Sequence, residues 1–314
     1  MIISVDELKK LYNSACSFMA DEDGYIRHMR YTKEQEDYFE KTSDFWYERC
    51  VAAASVPLEF ITDAAEISFK YKITWEGSPD TFELCEDDLI TDIRYVKDLP
   101  KEGTMKFKLL PGKHEVKIYL PTDAVVWIKD LDIDGSIEAV KHDTKILWLG
   151  DSISQGFGTF RSGETLVTIA NRLLRAEILN QSIGGYVYDK NSLMDIEGFT
   201  PDKIVIALGT NQFGTETMKD IEEYYEALTA RYPGIPTLCI TPIWRGDVED
   251  GEPTLISFCG KLKDIVSSYN IPYVDGFKLI PHLPEYFLDK LHPNACGAEV
   301  YARNLIEEIR RIGF

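Results

Sequence analysis

Residues 146–156 read ILWLGDSISQG. Four apolar residues, Ile146 to Leu149, run without interruption, Gly150 breaks the run, and Asp151 and Ser152 follow at once. A short, continuously apolar run closed by glycine is the pattern of a strand buried on both faces, as in a parallel sheet. Such runs recur downstream in AEILNQS (176–182), KIVIALG (203–209), PTLCIT (236–241) and IPYVDG (271–276). Helical patterns separate them. Leu166, Ile169, Ala170, Leu173 and Leu174 fall on one helix face at i, i+3, i+4, i+7 and i+8. Ala298, Tyr301, Ala302, Leu305, Ile306 and Ile309 do the same at the end of the chain. Alternating buried strands and helices predict an α/β fold over residues 143–314, a doubly wound parallel sheet with helices on both sides.

Upstream the texture is different. AEISFKYKITW (65–75) alternates Ile67, Phe69, Tyr71 and Ile73 with polar neighbours, a period of two. GTMKFKLLPGKHEVKIYLP (103–121) reads as two strands joined at Pro111-Gly112, which predicts a hairpin. DAVVWIKDLDIDG (123–135) supplies another strand. Short strands with regular turn signals predict an antiparallel β-sandwich. Residues 5–20 and 32–50 each read as one helix, so residues 1–142 are expected to form a β-sandwich with a helical leading segment. At 314 residues, two domains are the natural expectation.

Composition narrows the function. A formal net charge of −19 argues against nucleic acid, whose phosphates require clustered Lys and Arg, and against an anionic membrane surface. No stretch approaches the roughly 18 to 20 apolar residues of a membrane span. The N-terminus has no basic segment followed by an apolar core, so a cytoplasmic location is expected. Six cysteines without a C-x-x-C pair point to reduced thiols rather than a zinc or redox motif, and no metal or cofactor is expected.

In an open α/β sheet the binding crevice forms beyond the carboxyl ends of the strands. There this chain delivers Ser152, then NQSIGG (180–185), then Gly209-Thr210-Asn211, and finally DKLHP with Asp289 and His292. These groups meet the needs of acyl transfer. A serine hydroxyl becomes a nucleophile when an imidazole takes its proton, and a carboxylate fixes the tautomer of that imidazole. Asp289 and His292, three apart, can meet within one turn of loop, and Pro293 suits the first position of the following helix. The N–H groups of Ser152 and Gly185 and the amide of Asn211 are candidate oxyanion donors, with Gly184 competing with Gly185. Each residue alone has an ordinary explanation: a cap, a tight turn, an Asx turn, a structural histidine. His282 is assigned to that last class.

GDSISQG with Ser152, NQSIGG with Gly185, GTN with Asn211, and DKLHP with Asp289 and His292 resemble, in order, the four blocks of the SGNH, or GDSL, hydrolase superfamily. The resemblance spans about residues 145–314. It implies a flavodoxin-like three-layer α/β/α catalytic domain and metal-free serine esterase chemistry. Ser152 would be the nucleophile, His292 its base, Asp289 the orienter, and Ser152, Gly185 and Asn211 the oxyanion hole. Two positions depart from the family spelling: Gln212 stands where aspartate is common, and Ser182 where many members have glycine. The G-x-S-x-G elbow of the α/β-hydrolases is not matched, since Ser154 replaces its second glycine. The front half more loosely resembles the jelly-roll-like sandwich that precedes this domain in some carbohydrate acetyl esterases.

Substrate contacts are expected from Asp151, from Tyr186 after the glycine pair, and from Trp244 and Arg245 in the fourth-strand loop TPIWRGDVEDGEP (241–253). The plain alternatives are that Trp244 packs beneath its loop, that Arg245 pairs with Asp247, and that Tyr186 and Tyr188 fill core. Lacking a long apolar cap, the chain is expected to cleave short-chain esters, acetyl above all, of small or oligosaccharide substrates. Alternatives are a thioesterase or lysophospholipase acting on longer chains, and a non-catalytic carbohydrate-binding protein. The oligomeric state is left open.

Overall fold

The computed structural model describes residues 1–214, 218–248 and 252–314. The first ten strands are β1 (Ser17–Ala20), β2 (Ile26–Met29), β3 (Pro57–Thr62), β4 (Glu66–Glu76), β5 (Thr81–Glu86), β6 (Leu89–Tyr95), β7 (Glu102–Lys108), β8 (His114–Tyr119), β9 (Ala124–Ile133) and β10 (Ile137–Ala139). They form two antiparallel five-stranded sheets, ordered β1-β2-β9-β4-β7 and β10-β3-β8-β5-β6. Phe60, Phe69, Phe82, Phe107, Ile118 and Ile128, all fully buried, form part of the core between them. The front half is the expected sandwich.

The third sheet is parallel: β11 (Lys145–Gly150), β12 (Glu177–Ser182), β13 (Lys203–Ala207), β14 (Thr237–Ile240) and β15 (Tyr273–Val274). Its order, β12-β11-β13-β14-β15, is that of a flavodoxin-like doubly wound sheet. One core contains Trp148, Val205 and Leu238 with the helix faces expected around Leu166 and Leu305, and the other contains Leu147, Ile204 and Cys239. Adjacent residues of one strand thus enter opposite layers, which is why each strand reads as continuously apolar. Among the described residues, no helix is long and apolar enough to cross a membrane.

Three local expectations are corrected. First, the helix expected over residues 5–20 stops as α1 (Val5–Leu11), and Ser17–Ala20 is β1, so the leading segment also extends a sheet. Second, the helix expected over 32–50 is two helices, α2 (Lys33–Thr42) and α3 (Asp44–Cys50). Ser43 is extended at φ −165° and its hydroxyl caps Trp46 N at 3.4 Å, restarting the helix in a new direction. Third, β7 and β8 are not a hairpin. β7 pairs with β4 in one sheet, β8 with β3 and β5 in the other. Pro111-Gly112, with Gly112 at φ +122°, turns the chain between sheets because both strands bury residues in the same inter-sheet core.

Arg30 binds the leading segment to the α/β half. Arg30 is 1% exposed, and among the described residues its guanidinium hydrogen-bonds no carboxylate. It donates to the carbonyls of Asn180 and Ser182 at the end of β12 and to those of Arg49, Cys50 and Ala52 at the end of α3. Five carbonyls from two elements satisfy one buried cation, so α3 is held over the loop that follows β12.

Candidate active site

Ser152 opens α4 (Ser152–Gln155), a single turn directly after β11. Asp151 is its cap, accepting the Ile153 N–H at 3.0 Å, and Gly156 ends it at φ +108°. This tight strand-to-helix turn places Ser152 just beyond the carboxyl end of β11.

His292 comes from the loop before α8 (Ala295–Ile312). That loop is bridged to itself: Leu288 N–H donates to the His292 carbonyl at 2.8 Å, and Asn294 N–H to the Tyr286 carbonyl at 3.0 Å. Pro293 lies before the cap Asn294 rather than in the first helical position, a correction; it pairs with Phe287 in the bridge instead. Lys290 adopts a left-handed conformation at φ +69°, curling the backbone so that Asp289 faces His292.

The geometry is that of a relay. Ser152 Oγ lies 2.9 Å from His292 Nε2, and His292 Nδ1 lies 2.8 Å from Asp289 Oδ2. The other Asp289 oxygen accepts the N–H groups of Leu291 and His292 at 3.1 and 2.8 Å. Burial would raise the Asp289 carboxyl, but the hydrogen bonds and charge of His292 outweigh it and hold it below its ordinary value. Phe157 packs edge-on against the imidazole, ring centres 4.7 Å apart.

The candidate oxyanion donors line the same cavity. Gly184 N–H is taken by Gln155 Oε1 at 2.7 Å, whereas no acceptor among the described residues takes the N–H of Ser152 or Gly185. Gly185 has φ +70°, and a Cβ there would lie 3.2 Å from the Phe45 ring of α3, so only glycine fits without strain. Asn211 Nδ2 donates one hydrogen to the Tyr186 carbonyl at 2.8 Å, which orients the amide and leaves its second hydrogen available. Gln212, in the position where the family spelling often has aspartate, accepts the Tyr188 N–H at 2.8 Å and ties the two loops together.

Ser152, Gly185, Asn211 and His292 line one cavity of about 310 Å³. The four substrate contacts expected from the sequence are not among its lining residues. Asp151 is 3% exposed beneath α4, and burial pushes its carboxyl up to about 7. Tyr186 packs edge-on to Phe39 and Trp46 and contributes through its carbonyl. Trp244 stacks on His282 at 5.3 Å and packs against Phe287, while Arg245 pairs with Asp247 and donates to the Thr210 carbonyl. The packing alternatives hold for all three: neighbouring rings take up Tyr186 after β12 and Trp244 in the fourth-strand loop, and Asp247 and the Thr210 carbonyl take up Arg245. Residues 249–251 of that loop lie outside the described residues.

The opposite wall comes from the front half: Phe45 and Arg49 of α3, Ser78 and Asp80 before β5, and Thr122 and Asp123 before β9. Sequence reasoning missed all six. They follow no motif and reach the cavity only through the docking of the sandwich. Among the described residues, no cluster of three or more His, Cys, Asp or Glu is placed to hold a metal ion.

The profile of the GDSL-like lipase/acylhydrolase family matches residues 148–300. A sequence comparison with curated proteins gives no match. Among solved structures, the chain is similar to a salicylyl-acyltransferase from a tetracycline biosynthetic pathway, with TM-score 0.77 and 18% identity over 96% of this chain and 94% of that one. An acetyl xylan esterase from the rumen bacterium Butyrivibrio proteoclasticus gives 0.66 and 14% over 99% and 96%. A family two carbohydrate esterase from Clostridium thermocellum, solved with cellohexaose, gives 0.66 and 18% over 83% and 94%. The likeness is one of fold, and it extends across sandwich and parallel sheet together.

Proposed function

The C-terminal α/β domain of this chain belongs to the GDSL-like lipase/acylhydrolase family, and from that premise we propose that the protein is a metal-independent serine esterase that removes short acyl groups, chiefly acetyl, from carbohydrate esters. The domain boundary in this proposal falls between residues 142 and 143. The observation that carries it is the unbroken relay from Ser152 Oγ through His292 to Asp289, 2.9 and 2.8 Å long, at the wall of a cavity.

In this mechanism His292 Nε2 takes the Ser152 proton as Oγ attacks the ester carbonyl. The carbonyl oxygen becomes an oxyanion facing the N–H groups of Ser152 and Gly185 and the Asn211 amide, which are fixed before charge develops. Asp289 stabilises the imidazolium. The C–O bond to the alcohol then breaks, His292 returns its proton to that oxygen, and an acyl group remains on Ser152. Water, deprotonated by the same imidazole, attacks the acyl carbon; collapse releases the acid and restores the hydroxyl. No step calls for a metal.

Short acyl groups are favoured by the cavity, whose roughly 310 Å³ is at the small end for ligand sites and leaves little room for a long chain beside an alcohol. A carbohydrate alcohol is supported by the polar groups on the sandwich wall and by the acetyl xylan esterase and carbohydrate esterase among the similar folds. The six unpaired thiols agree with a reducing, cytoplasmic setting. The test is hydrolysis of p-nitrophenyl acetate: it should persist in a chelator and vanish in Ser152→Ala. Retained turnover in that variant would end the proposal.

A further inference from the structure

We propose that Asp123, presented by the sandwich into the Ser152 cavity, selects the alcohol by accepting hydrogen bonds from the hydroxyls of a neutral polyol ester. This rests on the esterase reading and assigns its leaving-group subsite to the front half.

Two neighbouring carboxylates on this wall differ in how many donors they meet. Asp80 is saturated. Its Oδ1 accepts Thr81 N–H and Ser162 Oγ, both at 2.7 Å, and its Oδ2 accepts Thr122 N–H at 2.6 Å and Asp123 N–H at 3.2 Å. Four donors satisfy a carboxylate. Asp80 is therefore a structural hub that fixes the backbone of residues 122–123.

Asp123 is fixed by that hub but is not saturated. It is 6% exposed and lines the cavity beside Ser78, and among the described residues its side chain takes one hydrogen bond, from Gln155 Nε2 to Oδ1 at 3.3 Å. Burial raises its carboxyl, with the nearby charge of Arg49 opposing the rise. Acceptor capacity thus remains on a desolvated group at the wall facing the candidate nucleophile.

Thr122 adds a second, independent observation. It is 4% exposed and lines the same cavity, and its hydroxyl oxygen, sealed from the cavity as the side chain stands, has no hydrogen-bond partner among the described residues. Buried hydroxyls are ordinarily paired, and a turn about the Thr122 Cα–Cβ bond would bring this one to a ligand hydroxyl in the cavity.

The chemistry then narrows the ligand. An acidic alcohol would meet the Asp123 carboxyl, while Arg49, the cation on the same wall, is already paired with Glu48 at 3.4 Å. An aliphatic alcohol would leave the remaining acceptor positions of Asp123 and the Thr122 hydroxyl unfilled, and sites built to bind a hydroxyl discriminate strongly against analogues that lack one. A neutral polyol, a sugar by class, donates to Asp123 and pairs with Thr122. Asp123 would govern specificity without entering the bond-breaking steps.

The experiment compares kcat/KM for a mono-acetylated methyl xyloside with that for butyl acetate. Asp123→Asn keeps an oxygen for Gln155 but replaces the free acceptor by a donor. The ratio of the two constants should fall at least tenfold, with KM for the xyloside carrying most of the change. Thr122→Val, which removes the orphan hydroxyl at constant shape, should lower the ratio severalfold and serves if the first variant does not fold. An unchanged ratio in both, even with lower absolute rates, would overturn the assignment by making Asp123 a support for Gln155 only. Should the wild type hydrolyse no ester, the esterase reading fails separately. Asp123 is then tested by calorimetric titration of the wild type with methyl xyloside, where loss of binding in Asp123→Asn is expected and equal binding would contradict it.

Discussion

Gln155 Oε1 accepts the Gly184 N–H at 2.7 Å, and the same side chain reaches Asp123 through its Nε2. One residue of α4 therefore holds the glycine loop on one side and touches the sandwich on the other. With Gly184 engaged, the adjacent Gly185 N–H is the glycine donor left to face the cavity. Gln155→Leu preserves bulk but releases Gly184. We expect kcat for p-nitrophenyl acetate to fall roughly tenfold or more, the scale for disturbing an oxyanion donor, with KM changed little. An unaltered kcat would show that the loop needs no such tether.

Asp289 lies at the far end of the relay, 2.8 Å from His292 Nδ1. Its carboxyl lies below the ordinary value in the folded chain, so its bonds to His292 are fully present above the unfolded value of about 3.9 and are lost only as pH falls through the folded one. The side chain is 46% exposed, which lets water replace part of what it supplies. Asp289→Asn should accordingly lower kcat at neutral pH by about a hundredfold, less than the roughly 10⁴ seen where such a carboxylate is sealed from solvent. A loss under about threefold would contradict an orienting role.

Asp151 makes a prediction about stability. Burial raises its carboxyl to about 7 in the folded chain, against about 3.9 unfolded. Between those values the folded state holds a proton that the unfolded state has released, so stability falls as pH rises through that window. Asp151→Asn can still cap α4 but does not titrate. Relative to wild type it should gain about 3 kcal/mol between pH 5 and pH 8 in urea unfolding, the part of the linkage from the two pKa values that falls in that window. A pH-independent difference would place Asp151 in a more polar setting than its 3% exposure indicates.

What was legible in the sequence follows from the range of the interactions involved. β11 to β15 announced themselves because a parallel strand buries both faces, and Asp289 and His292 met because three residues of loop suffice. β1 was hidden because Ser17–Ala20 is short and polar at one end, and its pairing with β2 is a tertiary event. Pro111-Gly112 signalled a turn correctly but did not say which sheet each strand would join. Trp244 and Arg245 looked available in a loop, yet His282, Phe287 and Asp247 engage them. Arg49, Asp80 and Asp123 enter the cavity only when two halves of the chain dock, and no local pattern records that.

The central claim is that Ser152 is a nucleophile activated by His292. A fluorophosphonate probe followed by intact-mass and peptide mass spectrometry tests it most directly. The account predicts one equivalent of label per chain, located on Ser152, and labelling slowed at least a hundredfold in His292→Ala. Absence of label on Ser152 in folded protein that still hydrolyses p-nitrophenyl acetate, or equal labelling rates with and without the imidazole, would contradict it.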